Sequence, residues 1–317
     1  MVAVPDEPPK LAVRLRGIGS AITPRAALPV EGRISDDCGL GRIWFEHSPG
    51  DGEPRRTAIG LPSAGATELQ IDRVLDCRDF PDKEISPGGR LLVSVKAADR
   101  SNLAEAPNVG TSDEWLLDVV APERLRTMLE SRELALRQRF EAIIAEASET
   151  RDALARMPLG SLAAGQGGTA LRVERAAQNC RKSAHEILAL AQSFENIREE
   201  LINNRIDSEE LKARLQEGIA APLKRIAEQR IPELEHRLAD LLDSLADDAV
   251  APERRDRAVA ESDAVLAAMR EVLSRMIELE DFNEAIAVLR QIIEKQETLN
   301  RQTEQSHKDR LRGLLEE

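Results

Sequence analysis

Short apolar runs alternate with turn-forming residues along the first 120 positions of the chain. In several runs, apolar side chains occupy every second position, which is the period of a half-buried β-strand. Turns rich in proline and glycine, such as residues 49–52, separate the runs. The pattern predicts seven strands, at residues 11–18, 27–34, 40–46, 54–59, 67–75, 90–98 and 114–120. Seven short strands with this punctuation favour an immunoglobulin-like β-sandwich over residues 1–120.

The hydrophobic pattern changes at Pro122. From that point apolar residues recur at steps of three and four, which is the period of an amphipathic helix. Pro122 and Glu123 are residue types that suit a first helical turn. The stripes are heptad-like, so residues 121–317 are predicted to form a helical coiled coil or antiparallel bundle. The predicted helices span about 122–156, 169–203, 207–246, 253–280 and 283–315.

Several local signals predict where these helices are interrupted. Pro222 and Pro232 should each end or kink the helical region 207–246 and give two or three shorter helices, because proline lacks the backbone donor that a helix needs. Residues 207–210 fit a capping box that starts with Asp207. Residues 280–283 are predicted to form a tight turn. The glycines in residues 161–168 indicate a connection between helices, since they lack the Lys and the preceding strand of a phosphate-binding loop.

The charge balance excludes some partners. The formal net charge is −13, and both parts of the chain are acidic, with 14 basic and 19 acidic residues before position 121. Nucleic acid and anionic membrane surfaces are therefore disfavoured as partners. Aromatic residues make up 2% of the chain, which is poor for stacking on sugars or bases. The sequence predicts neither a signal peptide nor a membrane-spanning helix, so a protein that works outside the cytoplasm would have its export signal outside this sequence.

The reactive side chains do not form a recognisable catalytic set. The three cysteines are too few and too scattered for a disulfide framework. Cys38 and Cys77 could still pair across the sandwich, and Cys180 falls on a helical stripe, where a buried thiol is expected. The chain contains no G-x-S-x-G, H-E-x-x-H, C-x-x-C or G-x-G-x-x-G motif. We therefore expect a protein that is not an enzyme and needs no cofactor.

Two polar corners contain the candidate metal ligands. The first is Ser-Asp-Asp-Cys-Gly-Leu at residues 35–40, and the second is Ala-Ala-Asp-Arg-Ser-Asn at residues 97–102. If the corners are adjacent, Asp36, Asp37 and Asp99 could bind calcium, which takes hard oxygen ligands. The alternative is that these aspartates cap turns in solvent.

These corners resemble the sandwich modules of bacterial surface and envelope proteins, in which a D-D-x-G-L corner opens one strand and an A-x-D-x-x-x-N corner ends another. Cys38 stands where those modules commonly carry tyrosine. The run Glu-Leu-Ile-Asn-Asn-Arg-Ile-Asp at residues 200–207 similarly resembles the helix-rich regions of large, uncharacterised bacterial envelope proteins. The resemblance implies a scaffold on the periplasmic side of a bacterial membrane, with its membrane anchor upstream of Met1. Residues 279–286 also have a local likeness to the helical hairpin of tetratricopeptide repeats.

The resulting hypothesis is a non-enzymatic structural or interaction protein. Its helices would associate with each other in a homo-oligomer or with the helices of a partner protein. The main alternative is a ligand-binding module that holds calcium or a glycan at the corner loops of the sandwich, and an enzyme is the third alternative.

Overall fold

A computed structural model describes residues 6–50, 52–61, 65–80, 85–100, 106–159 and 168–315, with only the backbone for 279–288, 290, 291, 294 and 304–315. Each of the seven predicted strands is present. Two further strands were missed, because segments of two and three residues are too short to show an alternating pattern. The strands are β1 (Lys10–Leu15), β2 (Ala21–Ile22), β3 (Ala27–Ser35), β4 (Leu40–Pro49), β5 (Arg55–Ile59), β6 (Glu68–Asp76), β7 (Arg90–Asp99), β8 (Val109–Thr111) and β9 (Trp115–Val119).

The strands form two β-sheets. The smaller sheet has the order β1-β3-β6 and is antiparallel throughout. The larger sheet has the order β2-β9-β7-β4-β5, and β8 pairs with β7. Both sheets contribute to one buried hydrophobic cluster, with Leu28 and Val30 from β3 and Leu91 and Val93 from β7 among its fully buried members. The chain therefore begins with two β-sheets over a shared core and continues as helices.

Six α-helices lie in the described residues that follow the sheets. The first two begin and end within about one residue of the predicted bounds, since Pro122 starts the first helix and Asn203 ends the second. The predicted glycine-rich connection lies mostly outside the described residues, and its last glycine, Gly168, begins the second helix. The helices are α1 (Pro122–Ala155), α2 (Gly168–Asn203), α3 (Glu209–Ala213), α4 (Ala221–Arg225), α5 (Ile231–Ser244) and α6 (Ala251–Leu315).

Between residues 207 and 246 the structure has three short α-helices, α3 to α5, as expected, but Pro222 and Pro232 do not end the helical path. The chain remains helical from α3 to α5, and the π-helical segments Arg214–Ala220 and Ile226–Arg230 join the α-helical pieces. A proline ring crowds the carbonyl four residues before it. Those carbonyls belong to Gly218 and Glu228, and each lies inside a π segment. The wider turn of a π-helix therefore accommodates each proline without breaking the helix.

Two other helix boundaries in the structure differ from those that the sequence predicted. α6 is a single helix of 65 residues, so the turn at residues 280–283 and the hairpin suggested by the tetratricopeptide likeness are both wrong. These four residues include no glycine or proline, so nothing stops the helix. At the start of α3 the N-cap is Ser208, whose Oγ accepts a hydrogen bond from the Leu211 amide at 3.2 Å. Asp207 instead forms an ion pair with Lys212.

The chain divides into two compact units, and the division is not at residue 120. The first unit contains residues up to Leu136 together with Ile187–Lys224, so it includes both sheets and parts of α1 and α2. The second contains Arg137–Glu186 and the chain from Arg225 onward. Helical residues are therefore part of the same compact unit as the sheets.

In the first unit, the end of α2 is fixed to the sheets by buried hydrogen bonds. The Thr23 amide donates to Asn204 Oδ1 at 2.7 Å, and the Thr23 hydroxyl donates to the Asn204 carbonyl at 2.9 Å. Both residues are almost completely buried. The neighbouring Asn203 donates through Nδ2 to the carbonyls of Arg16 and Gly17, at 3.0 and 2.7 Å.

Arg205 completes this attachment. It adopts a left-handed backbone conformation with φ of 54°, which is uncommon for a residue with a side chain. Its guanidinium binds both carboxylate oxygens of Asp76, at 3.1 and 2.7 Å, and also donates to the Arg25 carbonyl. Hydrogen bonds from Arg78 and from Arg205 lower the pKa of Asp76 below its ordinary value. The run at residues 200–207 thus attaches the helical segment to the sheets.

The second unit is held by apolar packing between helices. α5 packs against the first part of α6. Cys180, in α2, is buried in this unit, as its position on the stripe predicts. The buried apolar side chains of α6 are Ala251, Ala258, Val265, Leu266, Met269, Val272 and Met276.

Candidate metal centre and assembly surface

The two polar corners predicted from the sequence lie next to each other. Antiparallel pairing of β4 with β7 places Leu40, which follows the first corner, opposite Asp99. Asp36 and Asp99 are both buried, whereas Asp37 is exposed. Burial raises the pKa of Asp36, and the negative charge of Asp99 raises it further. The structure therefore brings Asp36 and Asp99 into electrostatic contact inside the protein.

A fourth carboxylate, Asp6, joins this corner. Asp6 Oδ1 accepts a hydrogen bond from the Cys38 thiol at 3.2 Å, and Asp6 Oδ2 accepts one from Asn108 Nδ2 at 3.0 Å. Ligand atoms of Asp6, Asp37 and Cys38 lie within 4.8 Å of one another. Sequence analysis missed Asp6 because it precedes the first strand by several residues and no motif connects it to the corner. We refer to Asp6, Asp36, Asp37 and Asp99 as the acidic corner.

The hydrogen bonds of the two buried carboxylates differ. Asp36 Oδ2 accepts from the Cys38 amide at 3.0 Å, which is the turn-capping bond expected of an aspartate in a corner. Asp99 Oδ1 accepts from the Asn108 amide at 3.1 Å. Asp36 Oδ1 is shielded from solvent and has no hydrogen-bond partner in the part of the chain that the structure describes. Turn capping therefore accounts for only one of the two oxygens of Asp36.

The cysteines of the β-sheet region do not form a disulfide. Cys38 is an exposed free thiol at the acidic corner, and Cys77 is a free thiol buried in the core shared by the sheets. The alternative of a Cys38–Cys77 disulfide is therefore wrong. The hydrogen bond to Asp6 and the surrounding negative charge raise the pKa of Cys38 to about 11. At neutral pH, Cys38 is accordingly a thiol and not a thiolate.

The aromatic residues of the sheets do not form an exposed platform. Trp44 is buried, and the Arg56 guanidinium lies 5.3 Å from the centre of its ring. Trp115 is partly buried and packs against the shared core. Neither ring offers the open face that a bound sugar would stack on.

α1 and α2 border a cleft of about 590 Å³. Its charged lining consists of arginines and glutamates, and Glu146 is already paired with Lys182 at 2.7 Å. The sequence also contains the spacing Glu-x-x-His at Glu233 and His236, which can bind metals in helical bundles when both side chains face inward. In α5, however, His236 is exposed and Glu233 pairs with Arg237. These groups do not provide a nucleophile next to a base or an inward-facing metal ligand set.

The second half of α6 presents apolar side chains to solvent. Met276 is the last buried apolar residue described in this helix. Beyond it, Leu289, Ile292, Ile293 and Leu299 are 58%, 47%, 53% and 60% exposed. At about 100° per residue, these four side chains fall within about 120° of the helix circumference. We call these four residues the α6 apolar face.

No described helix combines the length and the apolar character that crossing a membrane requires. Comparison with protein-family models, with curated protein sequences and with solved structures gives no match.

Proposed function

We propose that the protein is a non-enzymatic scaffold whose copies assemble through the α6 apolar face. The observation that supports this most strongly is the exposure of four large aliphatic side chains on one side of a helix. Full burial of such a side chain contributes about 1.5 to 3 kcal/mol, so a partner that covers all four would gain several kcal/mol. Exposed apolar patches of this kind are typical of interaction surfaces.

The length of α6 supports the same proposal. Among the side chains of α6 that the structure describes, none after Met276 is a buried apolar residue. Isolated helices are only marginally stable in water, and most helices in proteins owe their stability to packing. A second helix against the α6 apolar face would supply that packing.

The charge distribution favours a second copy of the chain as the partner, in antiparallel orientation. Residues 280–297 include five acidic and two basic residues, whereas residues 298–315 include two acidic and four basic residues. In an antiparallel pair, the acidic half of each helix lies beside the basic half of the other. A parallel pair would place like charges together. The proposed assembly is therefore an antiparallel coiled coil of two α6 helices.

The β-sheets have a different role in this proposal. We infer that they form an immunoglobulin-like sandwich that acts as a spacer or adhesion module, because both sheets share one core and the two corner motifs resemble those of bacterial envelope modules. The association with the cell envelope rests on that resemblance.

A variant with charged side chains in the α6 apolar face tests the proposal. The quantity to measure is its mass in solution. The double substitution Leu289→Glu and Ile293→Glu introduces charge at two exposed positions, so the fold of a single chain should not change. Leu171→Glu is the matched control, since Leu171 is a 46% exposed apolar residue of α2. Light scattering should find a dimer for the control and a monomer for the double variant. A double variant that remains dimeric would refute the proposal.

A further inference from the structure

Three arginines line the cleft between α1 and α2. Arg156 pairs with Asp152 at 3.6 Å, whereas Arg172 and Arg175 are exposed residues three positions apart on one face of α2. Neither of these two forms an ion pair within the part of the chain that the structure describes, and residues 160–167 between the helices contain no aspartate or glutamate. Like charges that are neighbours on a helix repel each other, so both guanidinium groups would gain from a bound carboxylate.

The floor of the cleft is apolar. It includes Leu154 and Met157 from α1 and Ala176 from α2, and each of these residues is at most 3% exposed. The cleft volume of about 590 Å³ lies within the range of about 300 to 1,000 Å³ that is typical of ligand pockets. A ligand in this cleft would therefore cover an apolar floor while it meets two cations at the rim.

The negative groups of the cleft lie toward its other end. Lys182 in α2 binds Glu146 in α1 at 2.7 Å, and one turn along Asn179 donates to Thr150 Oγ1 at 3.1 Å. The two helices are therefore antiparallel, and Glu146 and Glu149 lie away from the two unpaired arginines. A nucleic acid or an anionic membrane would place negative charge along the whole cleft. The arrangement suits a ligand whose negative charge is confined to one end.

We propose that this cleft docks an acidic, amphipathic segment of a partner protein. Carboxylates of the segment pair with Arg172 and Arg175, and its apolar side chains lie over Leu154 and Met157. Arginine binds a carboxylate through two parallel hydrogen bonds, and amphipathic helices commonly bind in apolar grooves. A free inorganic anion would leave the apolar floor uncovered. The site is independent of the proposed assembly, because all of its residues precede α6.

Binding of a labelled synthetic peptide to the full chain, measured by fluorescence anisotropy, tests the proposal. The probe is Glu-Leu-Ala-Glu-Glu-Leu-Ala-Glu-Glu-Leu, which as a helix has leucines on one face and glutamates beside them. A chain of net charge −13 repels such a peptide overall, so binding requires a local positive site. The expected dissociation constant is below about 1 mM. A peptide with glutamine in place of each glutamate should bind at least about tenfold more weakly.

Charge reversal distinguishes this site from the rest of the surface. The double substitution Arg172→Glu and Arg175→Glu should weaken binding of the glutamate peptide at least about tenfold, because it replaces both carboxylate partners with like charges. Arg124→Glu with Arg270→Glu is the matched control, since both arginines are exposed and the change in net charge is the same. This control variant should bind the peptide as the wild type does.

Four outcomes would overturn the proposal. They are the absence of binding by the wild type, wild-type affinity in the Arg172 and Arg175 variant, an equal loss of affinity in the control variant, and loss of binding in Leu289→Glu with Ile293→Glu. The last outcome would place the peptide on the α6 apolar face. Since the mass of that same variant reports on assembly, the two proposals can fail separately.

Discussion

Thr23 donates two hydrogen bonds to Asn204 although 181 positions separate the two residues in the sequence. The pair is buried, so neither residue can replace its partner with bulk water. Through this pair, the end of α2 is attached to the segment that follows β2. We consider it the central contact between helix and sheet in the first compact unit.

Removing the Asn204 side chain should therefore destabilise the first unit. Asn204→Ala leaves the buried Thr23 amide without an acceptor, which costs about 1 to 3 kcal/mol. Trp44 and Trp115 both lie in the sheets, so tryptophan fluorescence during chemical denaturation reports on this unit. Asn196→Ala is the control, because Asn196 is an exposed residue of the same helix, and its effect should stay within about 0.5 kcal/mol. Equal effects of the two substitutions would contradict the role of Asn204.

The ion pairs of Asp76 with Arg78 and with Arg205 predict a dependence of stability on pH. The pKa of Asp76 is lowered in the folded protein, so its ionised form contributes stability that is fully present above the ordinary value of 3.8. That contribution is lost as the pH falls from 3.8 toward the lower folded pKa. Asp76→Asn should cost about 1 to 3 kcal/mol of unfolding free energy at pH 7, and the difference from wild type should narrow as the pH drops below 3.8.

Chemical denaturation of the wild type and of Asp76→Asn at pH 7, 5 and 3 measures this difference in unfolding free energy. These pH values lie on both sides of the ordinary carboxylate pKa of about 4. Asp72→Asn serves as the control, since Asp72 is an exposed residue of the same strand and should show no such trend. A difference between Asp76→Asn and wild type that stays constant across the three pH values would show that these ion pairs contribute nothing to stability.

Sequence patterns were sufficient for the strands and the first helices, because each carries its own period and its own boundary residues. The alternation in residues 67–75 and the proline at position 122 are local signals of this kind. The errors have local causes too. Pro222 and Pro232 each lack a backbone donor and crowd the carbonyl four residues before them. A π turn accommodates the proline ring without ending the helix. Asp281 and Asn283 are too weak as helix breakers to produce the turn that was expected at residues 280–283.

The features that sequence patterns could not supply depend on tertiary contacts. Asn203, Asn204 and Arg205 look like a loop in the sequence, and only the fold shows that their side chains bind the sheets. The prediction placed Asp36, Asp37 and Asp99 at neighbouring corners, which matches the strand pairing. Asp6 lies beside them because of the path of the N-terminal segment. Its position in the sequence does not indicate this.

The proposed antiparallel orientation of α6 predicts a long distance between labels at position 271. Glu271 is exposed in the first half of α6, and a cysteine there can be labelled in a Cys38→Ser background, since Cys77 and Cys180 are buried. An antiparallel pair centred on the α6 apolar face, near residue 294, separates the two labels by about 70 Å at 1.5 Å per residue. A parallel pair in register would bring them within about 10 Å.

Energy transfer between donor-labelled and acceptor-labelled chains distinguishes these arrangements. Low transfer at position 271 together with high transfer at Thr298, labelled in the same way through a cysteine, fits the antiparallel pair. High transfer at both positions would mean a parallel pair, and the charge argument would then be wrong.

The mass of the wild-type chain in solution tests the central claim most directly. Light scattering over a dilution series from about 1 to 100 µM covers the range in which interfaces of micromolar affinity dissociate. Assembly through the α6 apolar face predicts a mass that rises with concentration toward twice the chain mass of 35.0 kDa. A mass that stays at 35.0 kDa over the whole series would contradict the proposed assembly.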